Sequence, residues 1–335
     1  MFRRELFLNA MRGQPTGHVP RQIRLCPSQR QRFAAVHGHE RYEETWDLPH
    51  RQVSLPFHPQ AADFSAWHPD LPPGTHVDAW GIGHVRTERS HHFERLLHPL
   101  AEADAAAMAD YPLPGPATEA DVAALAECVA ELHRADKVVQ GAVAPVGGTI
   151  FWPAYKLRAM ENLLCDFYTH PEAAAGLLDR ITDLAALQAR RTAAAGVDLL
   201  HLADDLGTQT STYMSPEMFR AWIRPRLSRV IAAAKAVKPD LLVHFHSDGA
   251  VEPLIPDLIE IGVDILNPVQ PECMDPFAVH EAYGDRLALS GGVGTQTTLP
   301  FGTPEDVRRT AEQLCERVGR NGGLWIGPTH LVEPE

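Results

Sequence analysis

Short apolar runs alternate with amphipathic stretches through the second half of the chain. The apolar runs, typical of buried parallel strands, predict strands at 137–145, 197–205, 241–247, 262–270, 286–296 and 323–330. Helical spacing and capping signals predict helices at 119–135, 171–196, from Ser215 onward, 251–261, 275–283 and 303–318. This alternation predicts an α/β protein, a single TIM-type (β/α)8 barrel of residues 1–335. A doubly wound open sheet is the second choice, although no glycine-rich dinucleotide loop follows a strand.

The first 136 residues have a less regular pattern. We predict a short helix at 2–12 and a strand at 19–25, followed by a stretch, 26–115, that is rich in proline and histidine. We expect this stretch to be an irregular excursion that forms a cap or lid over the barrel mouth. The chain ends at Glu335, soon after the last predicted strand. We therefore expect either a shortened chain or a second chain that covers this edge.

The composition narrows the classes of function. Acidic residues outnumber basic ones, 43 to 30, and the formal net charge is −13, which disfavours nucleic acids and anionic membranes as partners. The five cysteines are scattered without a C-x-x-C pair, which favours a reduced protein with neither a disulfide framework nor a cysteine-rich zinc site. No apolar run suits a membrane span or a secretory signal. We expect a cytoplasmic protein, and a homo-oligomer is compatible with the sequence.

The most specific chemistry lies in LLVHFHSDG (241–249), where His244, His246 and Asp248 occupy alternate positions and can share one face of a strand. Barrel enzymes carry their chemistry at the C-terminal strand ends, where His330 follows the last strand. Two imidazoles and one carboxylate, from His246, Asp248 and His330, form a three-ligand set for zinc, iron or manganese. The alternative is a hydrogen-bonded His/Asp pair without a metal. We expect His244 to be a core residue.

Other polar residues follow neighbouring strands. Asp204 and Asp205 end the strand at 197–205, and a carboxylate in a partly dry site there has a raised pKa suited to proton transfer. Helix capping is the alternative role for these two acids. Asn267 and Gln270 are expected to line the substrate pocket. Asp78, in DAWG (78–81), is a third acid beside an aromatic residue.

Five stretches carry a family resemblance. They are VDLLHLADDLGTQTSTYMSPEMFRAWIRPRL (197–227), HSDG (246–249), GVDILNPVQP (262–271), LSGGVGTQTTLPFGTPEDV (289–307) and GGLWIGPTH (322–330). In this order they resemble the uroporphyrinogen decarboxylase superfamily, which holds the haem-pathway decarboxylase and the cobalamin-linked methyltransferases that transfer methyl groups to or from a corrinoid protein. The resemblance covers about residues 137–335 and implies a TIM barrel.

The resemblance to the methyltransferases implies a zinc site. Those enzymes use an H-x-C pair after a middle strand and a third cysteine near the C-terminus. The matching positions here are His246, Asp248 and His330, so harder ligands replace both thiolates. Such ligands suit activation of an ether, alcohol or amine better than activation of a thiol.

The resemblance to the decarboxylases implies a different set of residues. Those enzymes carry an R-Q-x-G-R stretch for substrate carboxylates, an early Asp for the pyrrole nitrogens and a late His. Here Arg21 begins a similar stretch, which continues with Arg24 out of register, while Asp78 and His330 match the other two positions. A substrate with many carboxylates needs several cationic partners.

Our leading hypothesis is an enzyme that transfers a methyl group between a small methylated compound and a corrinoid carried by a partner protein, with zinc or another divalent metal. The first alternative is a metal-free decarboxylase of a porphyrinogen-like polycarboxylate that uses Asp78, His330 and Arg21. The second is a non-catalytic barrel that binds a tetrapyrrole or a partner protein.

Overall fold

The computed structural model describes residues 3–60, 63–68, 70–86 and 94–334. Its strands are β1 (His50–Ser54), β2 (His76–Val77), β3 (Gly83–Arg86), β4 (Glu94–Leu97), β5 (Val138–Ala142), β6 (Leu199–Ala203), β7 (Leu242–His246), β8 (Ile265–Val269), β9 (Ala288–Val293) and β10 (Leu324–Pro328). Seven of them form one parallel sheet in the order β1-β5-β6-β7-β8-β9-β10. The predicted α/β class with a TIM-type barrel is confirmed, and all six strands predicted in the second half are present.

An irregular segment takes the eighth position of the barrel. Arg21 forms an isolated parallel bridge with Ile326 of β10, so the strand predicted at 19–25 is reduced to isolated pairing. Among the described residues, no backbone hydrogen bond joins this segment to β1 on its other side. The segment lies very close to β10, because a Cβ atom at Gly327 would come within 2.4 Å of the carbonyl oxygen of Gln22.

The helices are α1 (Arg4–Met11), α2 (Pro27–His37), α3 (Tyr42–Thr45), α4 (Ala105–Asp110), α5 (Glu119–Arg134), α6 (Phe151–Arg158), α7 (Met160–Thr169), α8 (Pro171–Ala194), α9 (Pro216–Trp222), α10 (Arg224–Lys235), α11 (Ile255–Glu260), α12 (Pro276–Tyr283), α13 (Thr298–Phe301) and α14 (Pro304–Arg317). The helices predicted from capping signals are confirmed, and Ser215 caps α9 by accepting a bond from the Met218 N–H. Helices α6 and α7 were not predicted; Ala159, with φ of 69°, separates them and interrupts the helical periodicity. None of the described helices has the length and apolar character that crossing a membrane requires.

Helix α1 covers the N-terminal end of the barrel. The Phe7 ring packs edge-on against Trp325, with 4.9 Å between ring centroids. Arg4 binds Asp198, whose carboxylate also accepts bonds from His133 and from the Val139 N–H. A separate apolar cluster at this end joins α1 to the barrel interior and consists of Phe7, Ala10, Met11, Val138, Leu199, Leu242, Ile265, Ala288 and Trp325. The floor of the barrel is therefore sealed, and the open end lies at the carboxyl ends of the strands.

Part of the region that was expected to form a cap belongs to the barrel sheet. Residues 50–54, inside the predicted excursion of 26–115, form β1 and pair with β5. The following residues include a three-stranded antiparallel sheet, β2-β3-β4. This part is attached to α6 through Arg158, which donates hydrogen bonds to the carbonyl oxygens of Leu100 and Ala103 and forms an ion pair with Asp166.

Candidate active site at the carboxyl ends of the strands

Three side chains meet at the open end of the barrel. Strands β6 and β7 pair so that Ala203 lies beside His246, which brings Asp205 and Asp248, two residues beyond each, to the same edge. The Nε2 atom of His246 lies 3.7 Å from an Asp205 oxygen and 3.8 Å from an Asp248 oxygen. One ligand atom from each of the three residues lies within 4.8 Å of the others, a spacing that can hold a metal ion.

The hydrogen bonds of Asn267 define which nitrogen of His246 carries the proton. The amide Nδ2 of Asn267 donates to the backbone carbonyl oxygen of Ser290, 3.3 Å away, and that oxygen can only accept. The amide oxygen therefore faces His246, whose Nδ1 donates to it over 2.6 Å. In the neutral ring Nε2 then has a free lone pair, directed toward two carboxylates.

Asp205 is half-buried and accepts a 3.0 Å hydrogen bond from the backbone N–H of Asp248. Burial, the largest cause, raises the pKa of Asp205; the nearby His246 lowers that pKa and the Asp248 carboxylate raises it. A half-buried carboxylate next to a second carboxylate favours a proton or a cation. The sequence identified both acids at this strand end, but only Asp205 reaches the site.

Asp204 points away from the site and caps a helix. Its fully buried carboxylate accepts hydrogen bonds from the backbone N–H groups of Thr149 (3.2 Å), Ile150 (3.0 Å) and Trp152 (2.8 Å), at the first turn of α6. Burial raises the pKa of Asp204 to about 7, although the bonds from Trp152 and Ile150 act in the opposite direction. The capping alternative therefore describes Asp204, and the proton-transfer role predicted for it has no contact with the cavity to support it.

His330 lies on the wall of the same cavity but outside the three-residue cluster. Its side chain is exposed, and it lines a cavity together with Asp205 and Asp248. Although the side chain is exposed at the cavity wall, partial desolvation by the surrounding protein atoms lowers the pKa of His330, while the Asp248 charge raises it. Of the predicted set, Asp248 and His330 line this cavity, and His246 and His330 line a narrow pocket beside it. In the three-residue cluster, Asp205 takes the place that was predicted for His330.

The large cavity, here called the mouth cavity, has a volume of about 1110 Å³. Its wall contains the carboxylates of Asp205, Asp248 and Glu333 and the aromatic rings of Trp152, Tyr213 and Phe301. Among the described residues that line it there is no lysine or arginine. The wall therefore favours neutral or cationic ligands over anions.

A narrow pocket lies beside the mouth cavity and contains Arg24, the arginine that the sequence comparison placed out of register. Arg24 lines this pocket together with His246, Asn267 and His330. Burial lowers the pKa of Arg24, while the Asp248 charge acts against this shift. Arg21, predicted to bind substrate, does not line this pocket and donates a hydrogen bond to the carbonyl oxygen of Trp46. The two arginines lie three positions apart in the extended segment beside β10, so side-chain alternation directs them to opposite faces. This alternation is the signal in the sequence that distinguishes Arg24 from Arg21.

The remaining predicted residues fall in different places. Gln270 is buried on the wall of the mouth cavity, where its amide oxygen accepts a bond from the Gly249 N–H. His244 is confirmed as a core residue, and its Nδ1 lies 2.8 Å from Nδ1 of His201, whose pKa is lowered by burial to about 3. Asp78 lines a separate cavity of about 450 Å³, binds the N–H groups of its own turn and pairs with His84, so it is not brought to the site.

Comparison with known proteins gives relatives from two kinds of enzyme. A segment of 172 residues is 29% identical to uroporphyrinogen decarboxylase of Salinibacter ruber and covers 50% of this chain and 46% of that protein. A segment of 175 residues is 26% identical to the methylated-thiol–coenzyme M methyltransferase of Methanosarcina mazei and covers 52% of this chain and 45% of that protein. The matches thus span about half the length of these curated relatives.

The fold comparison extends over the whole chain. A solved structure of a methyltransferase from Methanosarcina mazei aligns with 100% of this chain and 94% of its own length, with a TM-score of 0.67 and 17% identity. This likeness concerns the fold. A model of the family described as uroporphyrinogen decarboxylase (URO-D) matches residues 79–335. The chain therefore belongs to the uroporphyrinogen decarboxylase family.

Proposed function

We propose that this protein is a metal-dependent methyltransferase, which passes a methyl group from a small methylated compound to a corrinoid carried by a partner protein. The observation that carries this proposal is the cluster of Asp205, His246 and Asp248, in which a basic imidazole nitrogen faces two carboxylates at the cavity wall. Methyltransferases are among the relatives of this chain, so this reaction is one that similar proteins carry out.

The donor set fits a divalent metal on electrostatic grounds. With Nδ1 protonated, the lone pair of His246 Nε2 and the charges of Asp205 and Asp248 repel one another unless a cation or a proton lies between them. One nitrogen and two oxygen ligands suit zinc, iron or manganese, and His330 on the cavity wall is a candidate fourth ligand. When bound, such a metal acts as a Lewis acid that helps an ether, alcohol or amine release its methyl group.

The residues of the chain supply binding and exclusion of water. Gln270 offers an amide to the polar end of the substrate, and Trp152 and Tyr213 form an apolar wall for its methylated end. If His330 holds the metal in place of Asp205, then Asp205, whose pKa burial raises, is the residue that would give a proton to the leaving group.

Decarboxylation of a porphyrinogen polycarboxylate is the second candidate, and Arg24 favours it. A single guanidinium beside His330 could bind one substrate carboxylate. The remaining carboxylates would face a wall with three acids, so their desolvation would have no compensating cationic partners. Asp78 also lies in a different cavity, which leaves the pyrrole nitrogens without the acid that this reaction needs.

The experiment measures metal content and methyl transfer together. Elemental mass spectrometry after zinc reconstitution is expected to find about one metal ion per chain in the natural protein and a strong loss in Asp248→Asn and His246→Gln. Asp240→Asn is the matched control, because this exposed carboxylate precedes β7 at the opposite end of the strand. Methylated ethers and amines are then screened with reduced cobalamin as the methyl acceptor, and methylcobalamin formation is followed by absorbance. The proposal is refuted if the natural protein retains no metal after reconstitution.

A further inference from the structure

The barrel interior beneath the candidate site is polar. Strand alternation directs Gln140, His201, His244, Asn267 and Ser290 inward, at positions where TIM barrels commonly carry valine, isoleucine or leucine. Buried polar groups are costly unless they bind one another. Two of these residues, Asn267 and Ser290, form a continuous chain of hydrogen bonds that leads to His246.

The chain begins in the N-terminal segment and crosses two strands. Gln22 lies in the segment beside β10, and its Nε2 donates to the Ser290 hydroxyl of β9 over 2.7 Å. The Asn267 amide of β8 donates to the same hydroxyl over 3.0 Å and to the Ser290 carbonyl oxygen over 3.3 Å. The opposite side of that amide accepts the 2.6 Å bond from His246 Nδ1. Ser290 is fully buried, so water cannot replace its two bonds.

We infer that Gln22, Ser290 and Asn267 are positioning residues that hold His246 in the Nδ1–H tautomer and keep Nε2 available as a metal ligand. The inference deepens the proposed function and rests on it for the identity of the ligand site. The physical reason is the number of hydrogen-bond donors and acceptors that surround the Asn267 amide. The Ser290 carbonyl can only accept, so the Asn267 amide cannot rotate without placing two acceptors against each other. The same bond fixes the plane of the imidazole ring.

The first test reads the tautomer without any metal. In metal-free protein, at a pH where the ring is neutral, nitrogen-15 NMR of His246 is expected to show a protonated Nδ1 and an unprotonated Nε2. Asn267→Leu removes the acceptor and is expected to produce the Nε2–H form. Asn267→Asp is expected to keep the Nδ1–H form, because one carboxylate oxygen still accepts from Nδ1 while the other can accept from the Ser290 hydroxyl.

Two milder variants cover the case in which Asn267→Leu does not fold. Ser290→Ala and Gln22→Leu remove the supporting bonds and are expected to give a mixture of tautomers. Ser247→Ala is the matched control for Ser290→Ala: Ser247 is equally buried and adjacent to His246, but its hydroxyl binds the Leu206 N–H. The control is expected to keep the natural tautomer.

The second test measures zinc affinity in the same variants. Asn267→Leu is expected to weaken zinc binding about 10- to 100-fold, the usual effect of losing a partner that orients a metal ligand, while Asn267→Asp stays near the natural affinity. An Nε2–H form in the natural protein, or an Nδ1–H form retained in Asn267→Leu, overturns the inference. If the tautomers behave as expected but no variant binds zinc, the proposed function fails and the positioning network stands.

Discussion

Replacement of Asp204 tests whether this residue caps helix α6 or acts as a catalytic acid. The carboxylate binds the backbone N–H groups of Thr149, Ile150 and Trp152 in a fully buried environment. Alanine removes both acceptor oxygens and leaves the three N–H groups without a partner. At about 1 kcal/mol net for each N–H group, the free energy of unfolding is expected to fall by about 3 kcal/mol. Asparagine keeps one oxygen in place, and the expected loss is below about 1 kcal/mol.

The assay is thermal unfolding followed by circular dichroism. For a chain of this size about 3 kcal/mol corresponds to a decrease of roughly 5 °C in the unfolding midpoint of Asp204→Ala. Asp205→Asn is the control, because its carboxylate faces the cavity and its loss is expected to change the midpoint little. Equal losses in Asp204→Ala and Asp204→Asn would refute the cap. So would an Asp204→Asn variant with unchanged stability that no longer binds zinc.

Three further predictions concern charge and packing. Because the pKa of Asp204 rises from 3.8 to about 7 on folding, the folded state binds the extra proton; stability is expected to fall, by up to about 4 kcal/mol, as pH rises from about 4 to about 7. Asp204→Asn should flatten this part of a urea-unfolding series, and an unchanged slope contradicts the assignment. Asp198→Ala leaves Arg4 without its buried partner and is expected to lower the unfolding free energy by about 3 kcal/mol in urea; a loss below about 1 kcal/mol contradicts this. Gly327→Ala forces the carbonyl of Gln22 away from β10 and is expected to speed amide hydrogen exchange at Gln22, whereas Gly176→Ala in α8, with open space around its added methyl group, is expected to leave that exchange unchanged.

The regular half of the fold was accessible from sequence because its signals are local. Thr303 and Ser215 cap their helices where the pattern predicts, and the strands from β5 onward are continuous apolar runs. Strand β1 lacked such a run, since Val53 is the single apolar residue in HRQVS, and its place in the sheet depends on pairing with β5. Residues 20–22 take a barrel position only because β10 lies beside them.

The sequence by itself determined which polar residues end the strands, because side-chain alternation and strand direction bring His246, Asp248 and Gln270 to one edge. It could not decide between Asp204 and Asp205, since adjacent acids at a strand end face different neighbours and only the packing of α6 shows which one is a cap. It also could not relate Gln22 to His246, because a hydrogen-bond chain through β8 and β9 joins residues that are far apart in sequence. Local propensity defines the elements, whereas long-range contact between them defines the chemistry of the site.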